Sequence, residues 1–351
     1  MSSIPEVPLE RRLEILSLRG GTHVHAALLA ELGFDSALEI AHPIAPEADR
    51  GEALRVVAWN AQRCRDPGAS AALLRRTGGE LFLLSELDHG MARTEQRDTA
   101  LELARRLDCG YAFGVEFLEL GLGDARERAA HAGQENAVGY HGAAILSRRA
   151  LGEPSLVRLE RSGRWFDGEL GERRVGGRIA VLCRLPIGGC EVAFAAVHLE
   201  SHSDPDERAA QLEAVFAAID AYAPGSPALV GGDVNTHSLG RAELADRALL
   251  SRALEVDPRR LAAPIPHEPL FALAERRGWD FRACNALGTA TERRSRGGGS
   301  ARGTLALDWF FTRGLEVSEP AVIDAVDPET GAALSDHEAI GVTIRCRRPG
   351  A

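Results

Sequence analysis

The sequence predicts an α/β protein built on a mixed β-sheet. From residue 54 onward, short apolar runs rich in β-branched residues alternate with amphipathic helical patterns along the 351-residue chain. The clearest helical pattern is an apolar stripe with the spacing needed to pack on a sheet, formed by Leu212, Val215, Phe216 and Ile219. The mixture of adjacent strands and helical crossovers indicates that the sheet contains both parallel and antiparallel pairs.

The apolar runs and helical patterns define the predicted elements in chain order. The strands are expected at residues 54–59, 81–84, 111–117, 143–146, 179–185, 191–197, 228–230, 307–312 and 339–346. The helices are expected at residues 8–18, 23–32, 69–76, 92–107, 206–222, 241–253 and 268–277. A Pro- and acid-containing stretch at residues 42–52 is typical of a linker. We therefore predict an N-terminal helical extension and linker over residues 1–53 and a main domain over residues 54–351.

The charged residues exclude several mechanisms. The chain has 41 basic and 51 acidic residues, a net charge of -10, and every fixed positive side chain is an arginine because the sequence contains no lysine. A phosphate-binding P-loop and a Schiff-base enzyme both need a lysine, so neither is possible here. The basic residues are also too spread out to form a polycationic arm for long nucleic acids.

Composition also bears on where the protein resides. No apolar run approaches the roughly 20 residues that span a bilayer, and the N-terminus lacks the uninterrupted apolar segment of a signal peptide. The six cysteines are scattered without a CxxC pair, which argues against a zinc cage or a disulfide framework. We therefore expect a cytoplasmic protein.

Polar residues cluster where the predicted strands end, which is where an α/β scaffold usually presents a site. They lie at residues 60, 85–88, 178, 198–200, 233–236, 308 and 335–337. Each position alone has an ordinary explanation as a turn or a cap. Together they suit hydrolysis of a phosphoester, which needs a divalent cation, a group that activates water, and donors for the charge that develops on phosphoryl oxygens.

The residue types suggest which side chains take part in that chemistry. Glu86 and the amide oxygen of Asn60 are hard ligands of the kind that bind Mg²⁺ or Mn²⁺. An aspartate beside a histidine fixes the imidazole tautomer and stabilises its protonated form, and Asp308 with His337 is the natural pair. The glycines before Asp233 allow the backbone to approach closely at that position.

These motifs occur in an order that resembles the endonuclease/exonuclease/phosphatase superfamily, which includes deoxyribonuclease I, exonuclease III, sphingomyelinases and inositol polyphosphate 5-phosphatases. The ordered series is WNAQ, SELD, YHGAAILSRR, GGRIAV, VHLE, GGDVNTH, LDWFF and SDHEAI, and it covers residues from about 54 to 346. The resemblance implies a deoxyribonuclease I-like, four-layered α/β sandwich. In that fold two mixed sheets lie face to face with helices outside, and the site lies at one end of the sheets.

The resemblance also implies roles for individual residues. Asn60 and Glu86 match the metal position, with Asp336 as a second carboxylate. Asp233 and Asn235 match the residues that orient water and hold the phosphate, and Arg178 matches a basic residue that faces the substrate. His337, oriented by Asp308, matches a histidine that acts either as general base or as a phosphate-stabilising cation, with Asp233 as the rival base.

His198 distinguishes among branches of the family. The resemblance associates a histidine here with the deoxyribonuclease I and sphingomyelinase branches, where it is a possible general acid or phosphate ligand, rather than with exonuclease III. We therefore predict a Mg²⁺- or Mn²⁺-dependent phosphoesterase whose substrate is a small or lipid-linked phosphoester. The alternatives are a nuclease acting on DNA or RNA and a catalytically silent binding module.

One further segment has an unusual composition. Residues 293–303 carry four arginines and several glycines and serines, which predicts a mobile surface loop. The alternative interpretation is an arginine flap that closes on an anionic substrate.

Overall fold

Two β-sheets pack face to face in the computed structural model, which describes residues 4–43, 51–296 and 299–347. The larger sheet contains, in spatial order, β1 (Leu38–Ala41), β4 (Gly110–Glu119), β5 (Tyr140–Ser147), β3 (Leu81–His89), β2 (Ala53–Arg63), β15 (Ala339–Cys346) and β14 (Leu315–Ile323), with β7 (Arg174–Gly176) paired to β4. The smaller sheet contains β13 (Asp308–Arg313), β10 (Ala228–Asp233), β9 (Cys190–His198), β8 (Ile179–Ile187) and β6 (Gly152–Arg158). Each sheet has one parallel pair, β2 with β3 and β9 with β10, so both are mixed as predicted.

Helices cover the outer faces of both sheets. The larger sheet carries α1 (Leu9–Ser17), α2 (Thr22–Leu32), α3 (Pro67–Arg76) and α4 (Thr99–Leu107), and the smaller sheet carries α6 (Pro205–Tyr222) and α9 (Pro269–Arg276). The remaining helices are α5 (Ala125–Ala130), α7 (Arg241–Ala245) and α8 (Arg247–Val256). The layers run helix, sheet, sheet, helix, which confirms the predicted four-layered sandwich. None of the helices in the described ranges is long and apolar enough to cross a membrane.

The strands are continuous apolar runs because they are buried on both faces. In β2, Val56 and Ala58 point into the core between the sheets, whereas Val57 and Trp59 pack under the outer helices. Successive side chains of a strand alternate between faces, so a strand covered on both sides is a continuous apolar run. Leu83 and Phe194 come from different sheets and belong to the same central core.

Two predicted helices are interrupted in the structure. The helix expected at residues 92–107 is a 3₁₀ turn followed by α4, because Asp98 caps the new helix by accepting a hydrogen bond from Leu101 N at 3.0 Å. The helix expected at residues 241–253 is divided into α7 and α8, and Asp246 caps the second by accepting from Ala248 N at 2.7 Å. Both breaks fall at an aspartate within a helical apolar pattern.

The N-terminal residues contain the two predicted helices and an unpredicted strand. Helices α1 and α2 pack on the larger sheet, and β1 pairs antiparallel with β4. Residues 44–50 of the predicted linker lie outside the described ranges. The division of the chain near residue 53 stays a prediction.

The arginine-rich segment contains an antiparallel hairpin, so the expectation of a loop was wrong. It consists of β11 (Arg293–Arg296) and β12 (Gly299–Arg302), and residues 297–298 between them lie outside the described ranges. Arg293 pairs with Arg302 in this register.

Candidate active site

The ends of three neighbouring strands bring Asp233, Asp308 and His198 side by side. Asp233 ends β10, and in the ladder its backbone lies opposite Asp308 of β13 on one side and His198 of β9 on the other. All three side chains are buried, with exposed fractions of 3% or less. The sheet register therefore holds Asp233 between Asp308 and His198.

On one side of Asp233 lies an imidazole backed by a carboxylate. His337 Nδ1 is 2.8 Å from Asp308 Oδ2, and His337 Nε2 is 3.6 Å from Asp233 Oδ2. Burial disfavours the charged imidazole, but the Asp308 and Asp233 carboxylates outweigh it and raise the pKa of His337 well above its ordinary value. The structure thus favours an imidazolium at this position.

On the other side lies a second imidazole with a similar arrangement. His198 Nε2 is 3.5 Å from Asp233 Oδ2, and His198 Nδ1 is 3.2 Å from Glu116 Oε1. Glu116 is fully buried in the middle of β4. Burial opposes its ionisation, but His198 and Arg178 lower the pKa of this carboxyl to about 2.

The sequence analysis missed Glu116, although a signal was present. It lies inside the apolar run YAFGVEFLEL, where a buried strand on a two-sided sheet otherwise carries apolar side chains. A charge in such a run needs a partner, because burying an unpaired carboxylate is costly. An acidic residue in the centre of a predicted core strand is thus a candidate site residue.

Arg178 lies behind His198 rather than at an open surface. Its Nη1 donates to Glu116 Oε2 at 3.0 Å, and its Nε donates to Glu200 Oε2 at 3.4 Å. Its exposed fraction is 7%. Arg178 was predicted to face the phosphate, whereas in the structure its charge is balanced by two buried carboxylates.

Asn60 joins the two sheets at the site. Its Nδ2 donates to Glu86 Oε1 and to Asp233 Oδ2, both at 3.1 Å, so the amide links the larger sheet to the smaller one. Glu86 lies at a register shift of β3 with a φ of +55°, which is unusual for a residue other than glycine. The shift directs its carboxylate toward the site, where the guanidinium of Arg63 binds it.

Asn235 is buried next to Asp233, whereas Asp336 is exposed. Asn235 is buried with a φ of +51°; its backbone N–H donates to Asp233 Oδ1 at 2.9 Å and its Nδ2 donates to Leu199 O at 2.9 Å. It therefore restrains the orientation of Asp233. Asp336 is exposed in the turn before His337.

The donor set suits a hard divalent cation. Glu86 offers a carboxylate that already binds a cationic group, the Arg63 guanidinium. The amide oxygen of Asn60, predicted as a metal ligand, instead accepts a hydrogen bond from Gln62 N at 3.1 Å, and the Asn60 Nδ2 faces Glu86. Burial opposes ionisation of Glu86, but Arg63 and nearby histidines hold its pKa well below the ordinary value. Asp233, Asp308 and His337 also offer ligand atoms within 4.8 Å of one another.

The hairpin arginines are paired with carboxylates of the chain itself. Arg293 binds buried Glu338 at 2.9 Å. Arg294 binds Glu292 at 2.7 Å, and Arg302 binds Asp324 at 2.7 Å. Such pairing leaves these guanidinium groups less available to an anionic substrate than the sequence suggested.

Comparisons with known proteins identify the family of the chain. Residues 57–337 match the Endonuclease/Exonuclease/phosphatase family, whereas no curated protein matches the chain significantly. An endonuclease/exonuclease/phosphatase from Beutenbergia cavernae DSM 12333 has a TM-score of 0.57 and 17% identity, covering 84% of this chain and 72% of that one. A functionally unknown conserved protein from Enterococcus faecalis V583 has a TM-score of 0.53 and 13% identity, covering 84% and 100%.

TDP2 from C. elegans is a more distant structural neighbour, with a TM-score of 0.47 and 16% identity, covering 84% of this chain and 75% of that one. At such identities the structures from Beutenbergia cavernae and Enterococcus faecalis show the shared fold alone. The family match spans most of the chain, from β2 to the turn that carries His337. The chain therefore belongs to the endonuclease/exonuclease/phosphatase family, whose members hydrolyse phosphoester bonds.

Proposed function

We propose that this protein is a divalent-metal-dependent phosphoesterase that cleaves a phosphodiester or phosphomonoester bond by attack of water. The observation that supports this most is the position of Asp233, 3.5 Å from His198 Nε2 and 3.6 Å from His337 Nε2. Each imidazole is backed by a buried carboxylate. Such a centre has groups that can accept a proton from water, and others that can stabilise charge on the phosphoryl oxygens or protonate the leaving oxygen.

The charges support particular roles. The raised pKa of His337 favours an imidazolium that stabilises charge on the phosphoryl oxygens, which leaves Asp233 as the candidate general base. Asn235 restrains that carboxylate through its backbone N–H. His198 is the candidate acid for the leaving oxygen. Arg178 supports it both directly, with Nη1 2.7 Å from His198 Nδ1, and through Glu116.

Glu86 and Asn60 are the residues proposed to hold Mg²⁺ or Mn²⁺, with Asp336 as a second carboxylate. When bound there, a divalent cation would supply positive charge that partly neutralises the phosphate. Oxygen ligands from carboxylates and amides suit these ions.

We further propose a small or lipid-linked phosphoester as substrate and a cytoplasmic location. The net charge of -10 disfavours binding to long polyanions. The internal ion pairs of Arg293, Arg294 and Arg302 also leave fewer arginines for a phosphate backbone. A nuclease is the second candidate, and a substrate panel separates the two.

The proposal is tested with bis-(p-nitrophenyl) phosphate and Mg²⁺, with and without a chelator. We expect turnover that the chelator abolishes and that Asp233→Asn lowers by at least about 100-fold, because it removes the candidate base. Asp206→Asn, which changes an exposed aspartate of α6, is the matched control. A panel of DNA, RNA, sphingomyelin and inositol phosphates then identifies the substrate class. A lack of turnover on every phosphoester would refute the proposal.

A further inference from the structure

The Glu86 carboxylate, which is proposed to bind the metal, forms an ion pair with the guanidinium of Arg63. Arg63 Nη1 binds Glu86 Oε2, and the two side chains have exposed fractions of 16% and 17%. Both are buried enough to need a counter-charge, yet the pair is still accessible to an ion from solvent. The Glu86 carboxylate is therefore neutralised by a group of the chain itself.

Arg63 has a second acidic partner beside it. Its Nε lies 3.5 Å from Glu127 Oε1, and Glu127 has an exposed fraction of 6%. Glu127 also binds Arg93 at 3.0 Å, and Arg93 in turn binds Asp88 at 2.8 Å. If Arg63 left Glu86, its charge would remain next to Glu127 and would not be stranded in the interior.

The local backbone is unusual at this point. Gln62, Arg63 and Cys64 have φ values of +43°, +74° and +51°, and the β2–β3 register shifts between Asn60 and Arg63. Three consecutive residues other than glycine in this region of φ are costly, and such conformations concentrate at functional sites. This bend carries the Arg63 side chain to Glu86 on the neighbouring strand.

We propose that Arg63 is an internal counter-ion that occupies Glu86 until a divalent cation displaces it toward Glu127. The inference rests on the proposed function, because it takes Glu86 as a metal ligand. A guanidinium and a divalent cation on one carboxylate repel each other, so binding of the second weakens the hold of the first. Arg63 thereby keeps the site neutral and folded without metal, and it lowers metal affinity through competition. It is a positioning residue, since it acts through Glu86.

The test measures Mn²⁺ binding to the full chain by calorimetry. We expect Arg63→Gln to bind Mn²⁺ about tenfold more tightly than the wild type, the effect of removing one charge-assisted contact that competes for the carboxylate. Arg65→Gln is the matched control: Arg65 binds the same Glu127 at 3.2 Å, but its side chain is 60% exposed. We expect this variant to match the wild type. An unchanged or weaker affinity in Arg63→Gln would overturn the inference.

A measurement on the wild type covers the case in which Arg63→Gln does not fold. Titration with Mg²⁺ should shift the NMR signals of the Arg63 guanidinium in a saturable way and leave those of Arg282, which pairs with exposed Glu275, in place. If Mg²⁺ binds and the Arg63 signals do not move, the inference fails.

A further variant separates this inference from the proposed function. Glu86→Gln should weaken Mn²⁺ binding if Glu86 is a ligand. Weakened binding in Glu86→Gln with unchanged binding in Arg63→Gln would overturn only the inference. Failure of Mn²⁺ to bind to either the wild type or Arg63→Gln would overturn the proposed metal site as well.

Discussion

The charge on His337 depends on two carboxylates that face opposite nitrogens of its imidazole. Asp308 is 2.8 Å from Nδ1, and Asp233 is 3.6 Å from Nε2. Because these groups raise the pKa of His337 above its unfolded value of about 6.5, protonation stabilises the folded state. This contribution is complete below the unfolded pKa and is lost as the pH rises through the higher folded pKa.

Removing one carboxylate should lower the pKa of His337. In Asp308→Asn the largest favourable charge is lost, so we expect the imidazole of the metal-free protein to titrate at lower pH in an NMR experiment. We also expect turnover to fall by at least about 100-fold, because the ring loses the group that orients it. Asp257→Asn changes a partly exposed Asp–His pair, with His267 at 3.0 Å, and should leave turnover unchanged. An unshifted His337 titration in Asp308→Asn would contradict the role of Asp308.

The residues that sequence reasoning identified lie next to predicted apolar runs, whereas the two it missed are recognised by their partners on other strands. Asn60, Asp233 and His337 follow or precede apolar runs, so the α/β pattern itself directs attention to them. Glu116 is marked in the sequence as a charge inside an apolar run, but its partner His198 and the role of Arg63 become visible only through contacts across strands, which depend on register and on a backbone shift. The local spacing of residue types does not encode that register or that backbone shift.

At the scale of elements, the arginine-rich hairpin shows why composition alone predicted a loop. Glycine and serine suggested a flexible segment, but the buried carboxylate of Glu338 fixes its first strand through Arg293. Glu338 Oε2 also accepts a hydrogen bond from Ala325 N at 2.6 Å. A long-range ion pair therefore overrides the local propensity.

Substitutions of two adjacent arginines of β11, Arg293 and Arg294, distinguish a structural role of the hairpin from a role in substrate binding. Arg293→Gln should lower the free energy of unfolding by about 3 kcal/mol, because it weakens the compensation of a buried carboxylate. Arg294 is 42% exposed, and its substitution by glutamine should cost less than about 1 kcal/mol. Urea denaturation measures both. We expect kcat/KM of Arg294→Gln to stay within about twofold of the wild type, and a large rise in its KM would instead support an arginine flap.

At the scale of the whole molecule, the N-terminal segment is fastened to strands that carry the site. The guanidinium of Arg158, whose side chain is fully buried, donates to the carbonyls of Glu116 and Gly177 at 2.6 Å. These carbonyls belong to a site residue and to the residue before Arg178. The counter-charge comes from Asp35, between α2 and β1, at 3.0 Å from Arg158 Nε.

This arrangement makes Asp35 important despite its distance in sequence from every candidate catalytic residue. Asp35→Asn keeps the shape of the side chain but leaves the buried Arg158 charge uncompensated, so we expect a loss of about 3 kcal/mol in the free energy of unfolding. Thermal and urea denaturation measure this loss, and Asp167→Asn, which changes an exposed aspartate, serves as the control. Because Arg158 also holds the backbone at Glu116 and next to Arg178, turnover should fall in folded Asp35→Asn. If this variant were as stable and active as Asp167→Asn, the carbonyl contacts of Arg158 would suffice without its counter-charge, and the N-terminal segment would not support the site through this pair.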